Sequence, residues 1–254
     1  RELRQRGKHL LLFNVETGNE TDEAVRQILE YQVDGIILTA ATASMKSAQL
    51  CFNRNIPVVT FNRYVPGVQV NSVCCENVEG GKAITRALIE AGARTFVVVY
   101  GEKEASTNQD RLTGFYTALE QAGIPRKNAR LLLGSYTYEG GHKAALKAFA
   151  GGEHYDAVLC LNDVMALGAL DALRYQLGLR IPEDVMVAGF DDIPEASHPP
   201  YDLTTVRQPI GRMVAEVMDM LGLSAQPVPS VALTKAVPGT LIRRGTTRPP
   251  LSGA

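Results

Sequence analysis

Short apolar runs alternate with longer amphipathic stretches along most of the chain. The runs are rich in Val, Ile and Leu and do not alternate with polar residues, which is typical of strands buried on both faces. Gly92, Gly123 and Gly178 follow amphipathic stretches, in the position where helices commonly end. Alternating strands and helices predict βαβ units and a parallel sheet covered by helices. The predicted strands are His9–Phe13, Gly35–Leu38, Ile56–Phe61, Thr95–Tyr100, Arg130–Leu133, Ala157–Leu161 and Val185–Phe190.

The length of 254 residues allows either one large sheet or two smaller domains. Gly101–Asp110 is polar and is the best candidate for a passage from one domain to another. A second break, Pro194–Pro200, is rich in proline. We therefore expect an α/β fold of two doubly wound parallel-sheet lobes with a cleft between them.

The charge balance excludes some classes of protein. With 26 basic and 27 acidic residues the net charge is −1, which argues against a self-sufficient nucleic-acid binder. No apolar run reaches the roughly 18–20 residues that a membrane-spanning helix needs. The four cysteines lie in apolar stretches, as expected of buried thiols in a reducing compartment. We expect a soluble, cytoplasmic, globular protein.

Sequence signatures of catalysis are mostly missing. The chain has no phosphate-binding loop, no Gly-x-Ser-x-Gly elbow and no His-Glu-x-x-His pair. The four histidines are scattered, without a cysteine or carboxylate at metal-ligand spacing. We expect no metal, no cofactor and no enzymatic activity.

Polar residues follow several predicted strands, at the sheet edge where ligands bind in open α/β folds. Their amides, carboxylates and guanidinium groups can bond several hydroxyls with defined geometry, and tyrosines can stack on a ligand. From spacing alone, helix caps and surface charges are an equally good interpretation. The residues concerned are Asn62, Arg63, Tyr64, Arg111, Tyr136, Asn162, Asp163, Asp191 and Asp192.

A set of short segments also occurs in a fixed order along essentially the whole chain. The segments are Val33–Leu38, Ile56–Val59 followed by Asn62 and Arg63, Arg111–Phe115, Asn162–Gly168, Ile181–Val185, Gly189–Asp192, Leu203–Pro209 and Leu241–Arg244. No single segment is decisive, but the ordered set is specific. Together they resemble the effector-binding core of bacterial transcription regulators of the lactose-repressor (LacI/GalR) family.

The resemblance implies a fold like that of type I periplasmic sugar-binding proteins, with two lobes joined by three crossovers and a small effector in the cleft. The N-terminal lobe would comprise residues 1–101 and about 209–235. The C-terminal lobe would comprise residues 102–208 and about 236–254.

The resemblance also implies which residues bind the effector. Arg111 matches the arginine that grips a sugar or base, and Asp191 matches the carboxylate that accepts ligand hydroxyls. Tyr136 matches an aromatic wall, and Gln208 is a weaker candidate. The full set is Asn62, Arg63, Arg111, Tyr136, Asn162, Asp191 and Gln208.

Two residues depart from the family pattern. Family members often have Asp where this chain has Asn62, and the missing carboxylate beside Arg63 and Arg111 makes an anionic ligand more plausible. The usual Asp-Asn pair before the next helix is Glu76-Asn77 here. We expect the second change to concern helix capping alone.

The sequence is compatible with three functions. The leading hypothesis is the ligand-sensing core of a DNA-binding regulator, active as a homodimer and binding a sugar, a sugar derivative or a nucleoside-like compound. The alternative is a soluble sugar-binding protein that serves a transporter. An α/β enzyme that uses Asp191 and Arg111 is a remote third possibility. An intact upstream sequence would separate the first two, since a helix-turn-helix supports one and a signal peptide the other.

We expect DNA binding to require segments without a counterpart in these 254 residues. The chain opens in what resembles the end of a helix, and the family's DNA-binding headpiece, hinge helix and first strand are not found in it. At a net charge of −1 the polypeptide attracts DNA phosphates only weakly. It should therefore not bind an operator specifically at physiological salt, whereas the full-length parent should. Fluorescence anisotropy on labelled operator DNA measures this. Sequence-specific, sub-micromolar binding by this chain would contradict it.

Overall fold

The computed structural model describes residues 2–14, 18–39, 50–51, 53–223 and 232–251. The chain forms two compact units and passes between them three times. Unit 1 consists of Arg1–Cys75 and Ile210–Val237, and unit 2 of Glu76–Pro209 and Pro238–Ala254. Each unit contains a parallel sheet, so the predicted α/β fold with two parallel-sheet lobes is confirmed.

The described residues form ten strands and seven α-helices, numbered in chain order. The strands are β1 Ile36–Leu38, β2 Val58–Phe61, β3 Asn71–Cys75, β4 Phe96–Tyr100, β5 Ala129–Leu133, β6 Ala157–Cys160, β7 Met186–Ala188, β8 Thr205–Arg207, β9 Thr234–Val237 and β10 Thr240–Ile242. The helices are α1 Glu2–Gln5, α2 Gly18–Ile28, α3 Asn77–Glu90, α4 Ser106–Gln121, α5 Tyr138–Phe149, α6 Asp163–Asp171 and α7 Ile210–Met220. No helix within these described ranges is long and apolar enough to cross a membrane.

The sheet of unit 2 has the strand order β5-β4-β6-β7, with all neighbours parallel. Its central strands are built from Val97, Val98, Val99 and their neighbours, which are almost completely buried. Burial on both faces explains why these strands appear in the sequence as continuous apolar runs. Beyond β7, strands β8 and β10 form a separate antiparallel pair.

The sheet of unit 1 has the order β1-β2-β3-β9, again parallel. Strands β3 and β9 were not predicted, and the predicted strand His9–Phe13 does not form. Instead, Leu10, Leu11 and Leu12 are 67%, 54% and 86% exposed. They line a groove of about 1060 Å³ together with β1 and the apolar side of α7. Within the described residues, β1 therefore pairs with β2 along one edge only.

The expected boundary at Gly101 lies inside unit 2, because β4 is an inner strand of its sheet. The polar stretch Gly101–Asp110 is a local turn followed by the first residues of α4. Its polar residues serve this turn: the Asn108 side chain accepts a hydrogen bond from the Gly101 amide at 3.1 Å. The first passage between the units instead follows Cys75.

Helices α3 and α4 cross at glycines. A Cβ on Gly81 would lie 2.4 Å from the Arg111 carbonyl oxygen, and one on Gly114 would lie 2.1 Å from the Val78 carbonyl oxygen. These clashes are with backbone atoms, which cannot move aside locally. The crossing brings the start of α3 against the turn of α4 that carries Arg111.

Gly114→Ala should therefore destabilise the protein by about 1–3 kcal/mol, as overpacking does in other cores. Gly211→Ala is the matched control, since a Cβ on this helical glycine meets no atom within 4 Å. The control should be neutral or stabilise by about 0.5–1 kcal/mol, because alanine favours helix. Urea unfolding of both variants measures the difference. Equal effects would contradict the crossing described here.

Candidate functional site

Five of the seven predicted site residues belong to unit 2, and two of them follow strands β6 and β7. Asn162 follows β6, Asp191 follows β7 and Gln208 follows β8, while Arg111 lies in the second turn of α4. Hydrogen bonds join Arg111, Asp191 and Gln208 into one network. No group of three or more His, Cys, Asp or Glu side chains in the described part of the chain could hold a metal ion.

Arg111 is held from several directions and is 3% exposed. Its Nε donates to Asn77 Oδ1 at 2.9 Å, its Nη1 to the Leu161 carbonyl at 2.5 Å and its Nη2 to Asp191 Oδ1 at 3.2 Å. The guanidinium carbon lies 3.7 Å from the centroid of the Phe190 ring. These contacts fix the plane of the guanidinium and pair its buried charge.

Asp191 is more open, with its side chain 26% exposed. The same Oδ1 that accepts from Arg111 also accepts from Gln208 Nε2 at 2.7 Å. Burial raises the pKa of Asp191, and the contacts with Arg111 and Gln208 only partly oppose this effect. Asp191 can thus offer carboxylate oxygens to a ligand while its charge is balanced by Arg111.

The neighbouring Asp192 has a different role. Its carboxylate accepts from Arg244 Nη2 at 2.6 Å and from Arg207 Nε at 2.5 Å. Burial opposes ionisation, but these two hydrogen bonds and charges hold the pKa of Asp192 below its ordinary value. Asp192 therefore anchors the loop to β8 and to the segment after β10.

Asn162 and Tyr136 have structural contacts of their own. Asn162 is the N-cap of α6, where its Oδ1 accepts from the Met165 amide at 3.0 Å. The Tyr136 ring lies so close to Gly101 that a Cβ there would be 2.1 Å from Tyr136 Cζ. Its hydroxyl is 3.4 Å from Thr107 Oγ1. Effector contact by either residue stays a prediction.

Asn62 and Arg63 belong to unit 1, where they follow β2. Asn62 has a φ of +71°, and its amide donates to the Val73 carbonyl at 2.8 Å. Its buried Oδ1 has no hydrogen-bond partner among the described residues. Arg63 is half-buried. Their role in effector binding also stays a prediction.

The departure from the family pattern at Glu76-Asn77 was expected to concern helix capping alone, but no side chain in the described part of the chain caps the helix at this position. The residue at the N-cap of α3 is Glu76, whose side chain makes no capping hydrogen bond. The Asn77 side chain, 2% exposed, instead holds Arg111. Within the described residues, its Nδ2 and Gln208 Oε1 are buried without partners.

Asp163 lies beneath this network and is fully buried. Its Oδ1 accepts from Thr205 Oγ1 at 2.6 Å and its Oδ2 from the Ile193 amide at 3.0 Å. Burial is the largest influence on this carboxyl and raises its pKa to about 7, assisted by the nearby Asp191 charge.

This pKa has a consequence for stability. Between about pH 4 and pH 7, folded Asp163 retains a proton that the unfolded chain has released. Its favourable contribution is complete below this interval and is lost as the pH rises through 7. Relative to Asp163→Asn, the wild-type protein should lose up to about 1.4 kcal/mol of stability per pH unit.

Urea unfolding between pH 4.5 and pH 8 measures this difference. Asp219→Asn, a substitution on α7 in the other unit, is the control and should leave the pH dependence unchanged. Parallel stability curves for wild type and Asp163→Asn would show that Asp163 does not titrate in this range.

Residues 85–247 match the family model of the periplasmic binding protein-like domain. The chain is 32% identical to the HTH-type transcriptional regulator CelR of Thermobifida fusca, over 86% of this chain and 65% of that regulator. It therefore spans slightly less than two thirds of the length of that relative.

Solved structures agree with this similarity. A sugar-binding LacI-family regulator from Escherichia coli, complexed with phosphate, matches with a TM-score of 0.79 and 27% identity, over 97% of this chain and 89% of that one. A CelR–cellobiose complex matches with a TM-score of 0.80 and 29% identity, over 96% and 75%. Each of these relatives is named as a transcriptional regulator. The chain belongs to the periplasmic binding protein-like family, and it is an effector-binding core of the LacI family.

Proposed function

We propose that this chain senses a small polar effector for a LacI-type transcriptional regulator. The observation that carries the proposal is the oriented guanidinium of Arg111, which is held by Asn77 and Leu161 and shares the partly open Asp191 with Gln208. A planar donor fixed beside a carboxylate is suited to a ligand that offers both hydroxyl donors and acceptors.

The charges of unit 2 favour a neutral ligand over an anionic one. The Arg111 charge is already balanced by Asp191 at 3.2 Å, so a second negative group would compete with that carboxylate. This argument opposes the expectation drawn from Asn62 in the sequence. A sugar, a sugar derivative or a nucleoside-like compound fits best, and the cellobiose complex of a CelR relative supports the sugar class.

Effector binding would act on DNA through coupling. In this proposal a cytoplasmic homodimer carries two DNA-binding headpieces, and the effector alters how they occupy an operator. The coupling free energy would be about 1–3 kcal/mol and would act in both directions. The transporter-associated alternative has less support, because the relatives described above are named as transcriptional regulators.

A thermal-shift panel tests the ligand class. Cellobiose, galactose, ribose, guanosine and glucose 6-phosphate would each be added to the 254-residue protein. A ligand present at 100 times its Kd stabilises the folded state by about 2.7 kcal/mol and raises the Tm. We expect a neutral compound of the panel to do so. Stabilisation by glucose 6-phosphate alone would contradict the proposed neutral class.

Arg111→Ala should weaken binding of the stabilising compound by about 2–5 kcal/mol, since it leaves buried partners unpaired. Arg111→Lys should also weaken it, because an ammonium cannot reproduce the planar fork. Arg180→Ala, which removes a side chain that is 72% exposed, is the control and should bind like wild type. Calorimetry measures all three, with circular dichroism to verify folding. Binding by Arg111→Ala within twofold of wild type would refute the site.

Asn62→Asp tests the ligand charge separately. An added carboxylate should weaken an anionic effector and should be tolerated with a neutral sugar. The same calorimetric titration distinguishes an anionic effector from a neutral one. A large loss of affinity for a neutral sugar would contradict this prediction.

A further inference from the structure

Asp163 joins three segments of unit 2 that are distant in the sequence. It is the first residue of α6, and its backbone amide donates to the Phe190 carbonyl at 2.8 Å. Its carboxylate accepts from the Ile193 amide and from the hydroxyl of Thr205 on β8. One buried side chain therefore connects α6, the loop Gly189–Ile193 and β8.

The loop Gly189–Ile193 has an unusual backbone conformation. Asp191 and Asp192 have φ values of +129° and +58°, a region that L-residues rarely occupy. This conformation turns Asp191 toward Arg111 and Gln208, while Asp192 bonds Arg207 and Arg244. Such strained residues persist only where surrounding contacts determine their conformation.

Asp163 makes some of the contacts that hold the loop in this conformation. A Cβ on Gly189 would lie 2.2 Å from Asp163 Oδ1, so the loop backbone rests against the carboxylate itself. At the other end of the loop, the Ile193 amide bonds Asp163 Oδ2. The carboxylate thus contacts the loop on both sides of the Asp191-Asp192 pair, at Gly189 and at Ile193.

The partners that the structure gives Asp163 are neutral donors. The cations that contact the loop are paired with its two carboxylates and not with Asp163. Arg111 bonds Asp191, whereas Arg207 and Arg244 bond Asp192. On the β6 side the titratable neighbour is the buried Cys160 thiol.

Helix α5 approaches α6 through glycines rather than through charged groups. A Cβ on Gly141 would meet the Met165 carbonyl oxygen at 2.0 Å, and one on Gly168 would meet the Tyr138 carbonyl oxygen at 2.0 Å. The acidic contact of α5 with α6 is Tyr138 to Asp171, at the last residue of α6. The pKa of Asp163 therefore depends on its burial, on its hydrogen-bond donors and on the charge of the nearby Asp191.

We propose that Asp163 is a positioning residue of the effector site, whose carboxylate fixes the loop Gly189–Ile193 and releases it in part when it gains a proton. The role as an effector site rests on the proposed function above, whereas the proton-dependent placement of Asp191 does not. The ionised carboxylate accepts hydrogen bonds from Thr205 and Ile193, and the Asp192 backbone also stabilises it. A neutral carboxyl is a weaker acceptor than a carboxylate, so protonation weakens the hold on the loop. A proton on Oδ2 opposes the Ile193 amide, which can only donate, whereas a proton on Oδ1 makes the Thr205 hydroxyl reverse its hydrogen bond and accept.

The position of Asp191 against Arg111 then depends on pH near neutrality, because burial raises the pKa of Asp163 to about 7. Effector affinity would follow the same titration, since Asp191 and Arg111 are the proposed ligand-binding groups.

Nuclear magnetic resonance of the ligand-free protein tests this directly. The backbone amide of Ile193, the Arg111 Nε–H group and the Asp163 carboxyl carbon would be followed from pH 5.5 to pH 8.5. We expect all three signals to titrate with one midpoint near neutrality. Thr205→Val should move that midpoint upward by about one pH unit, because the ionised form loses a donor. Asp163→Asn should abolish it.

Asp191→Asn separates the two neighbouring carboxyls. The titration of Ile193 should survive this substitution with a lower midpoint, because the nearby Asp191 charge raises the pKa of Asp163. Loss of the titration in Asp191→Asn but not in Asp163→Asn would assign it to Asp191 and overturn the proposal. An Arg111 signal that stays constant while the Asp163 carboxyl titrates would also overturn it.

The Thr205→Val and wild-type spectra decide the matter even if Asp163→Asn does not fold. Because no ligand is added, a failed ligand panel and a failed titration are separate results.

Discussion

The burial of one positive charge constrains most of unit 2. Arg111 is almost completely enclosed, and an unpaired buried charge would be strongly destabilising, by about 3–5 kcal/mol. The chain must therefore bring Asp191 to it from the end of β7, 80 residues further along the sequence. It must also bring α3 close enough for Asn77 to reach Nε, which the glycines at the helix crossing permit. The loop conformation and the helix packing both follow from this pairing.

The sequence predicts the sheet of unit 2 better than the sheet of unit 1. Val97–Val99 are buried on both faces, so their pattern indicates a strand without tertiary information. Strand β3 begins with the polar Asn71 and Ser72, which leaves only three apolar residues, and β9 is largely exposed, so neither contains a long apolar run. His9–Phe13 has the composition of a strand, but a strand also needs a neighbour with which to pair. The domain boundary predicted at the polar stretch near Gly101 was wrong because turns and domain linkers are rich in the same residue types.

The site could be predicted from sequence only as a set of strand-end positions. Arg111 and Asp191 were candidates because residues at the ends of parallel strands and at the starts of the following helices tend to converge, and the family resemblance gave them their predicted effector roles. Asn77 and Asp163 were not assigned their roles, since their partners lie 34 and 42 residues away and no local pattern records such contacts. Asn162 shows the opposite difficulty: its position fits both a helix cap and a ligand group, and the structure demonstrates the cap.

The groove in unit 1 has a practical consequence for anyone who handles this polypeptide. Three exposed leucines stand beside a strand edge that, in the described part of the chain, has no neighbour. Edges of this kind recruit strands from other molecules, and native proteins usually block them with charges, prolines or a covering segment. Unit 1 would therefore limit the solubility of the chain, because its open strand edge can start intermolecular β-sheet formation. Lysine in place of Leu12, the most exposed of the three, would be the mildest way to keep such a sample monodisperse.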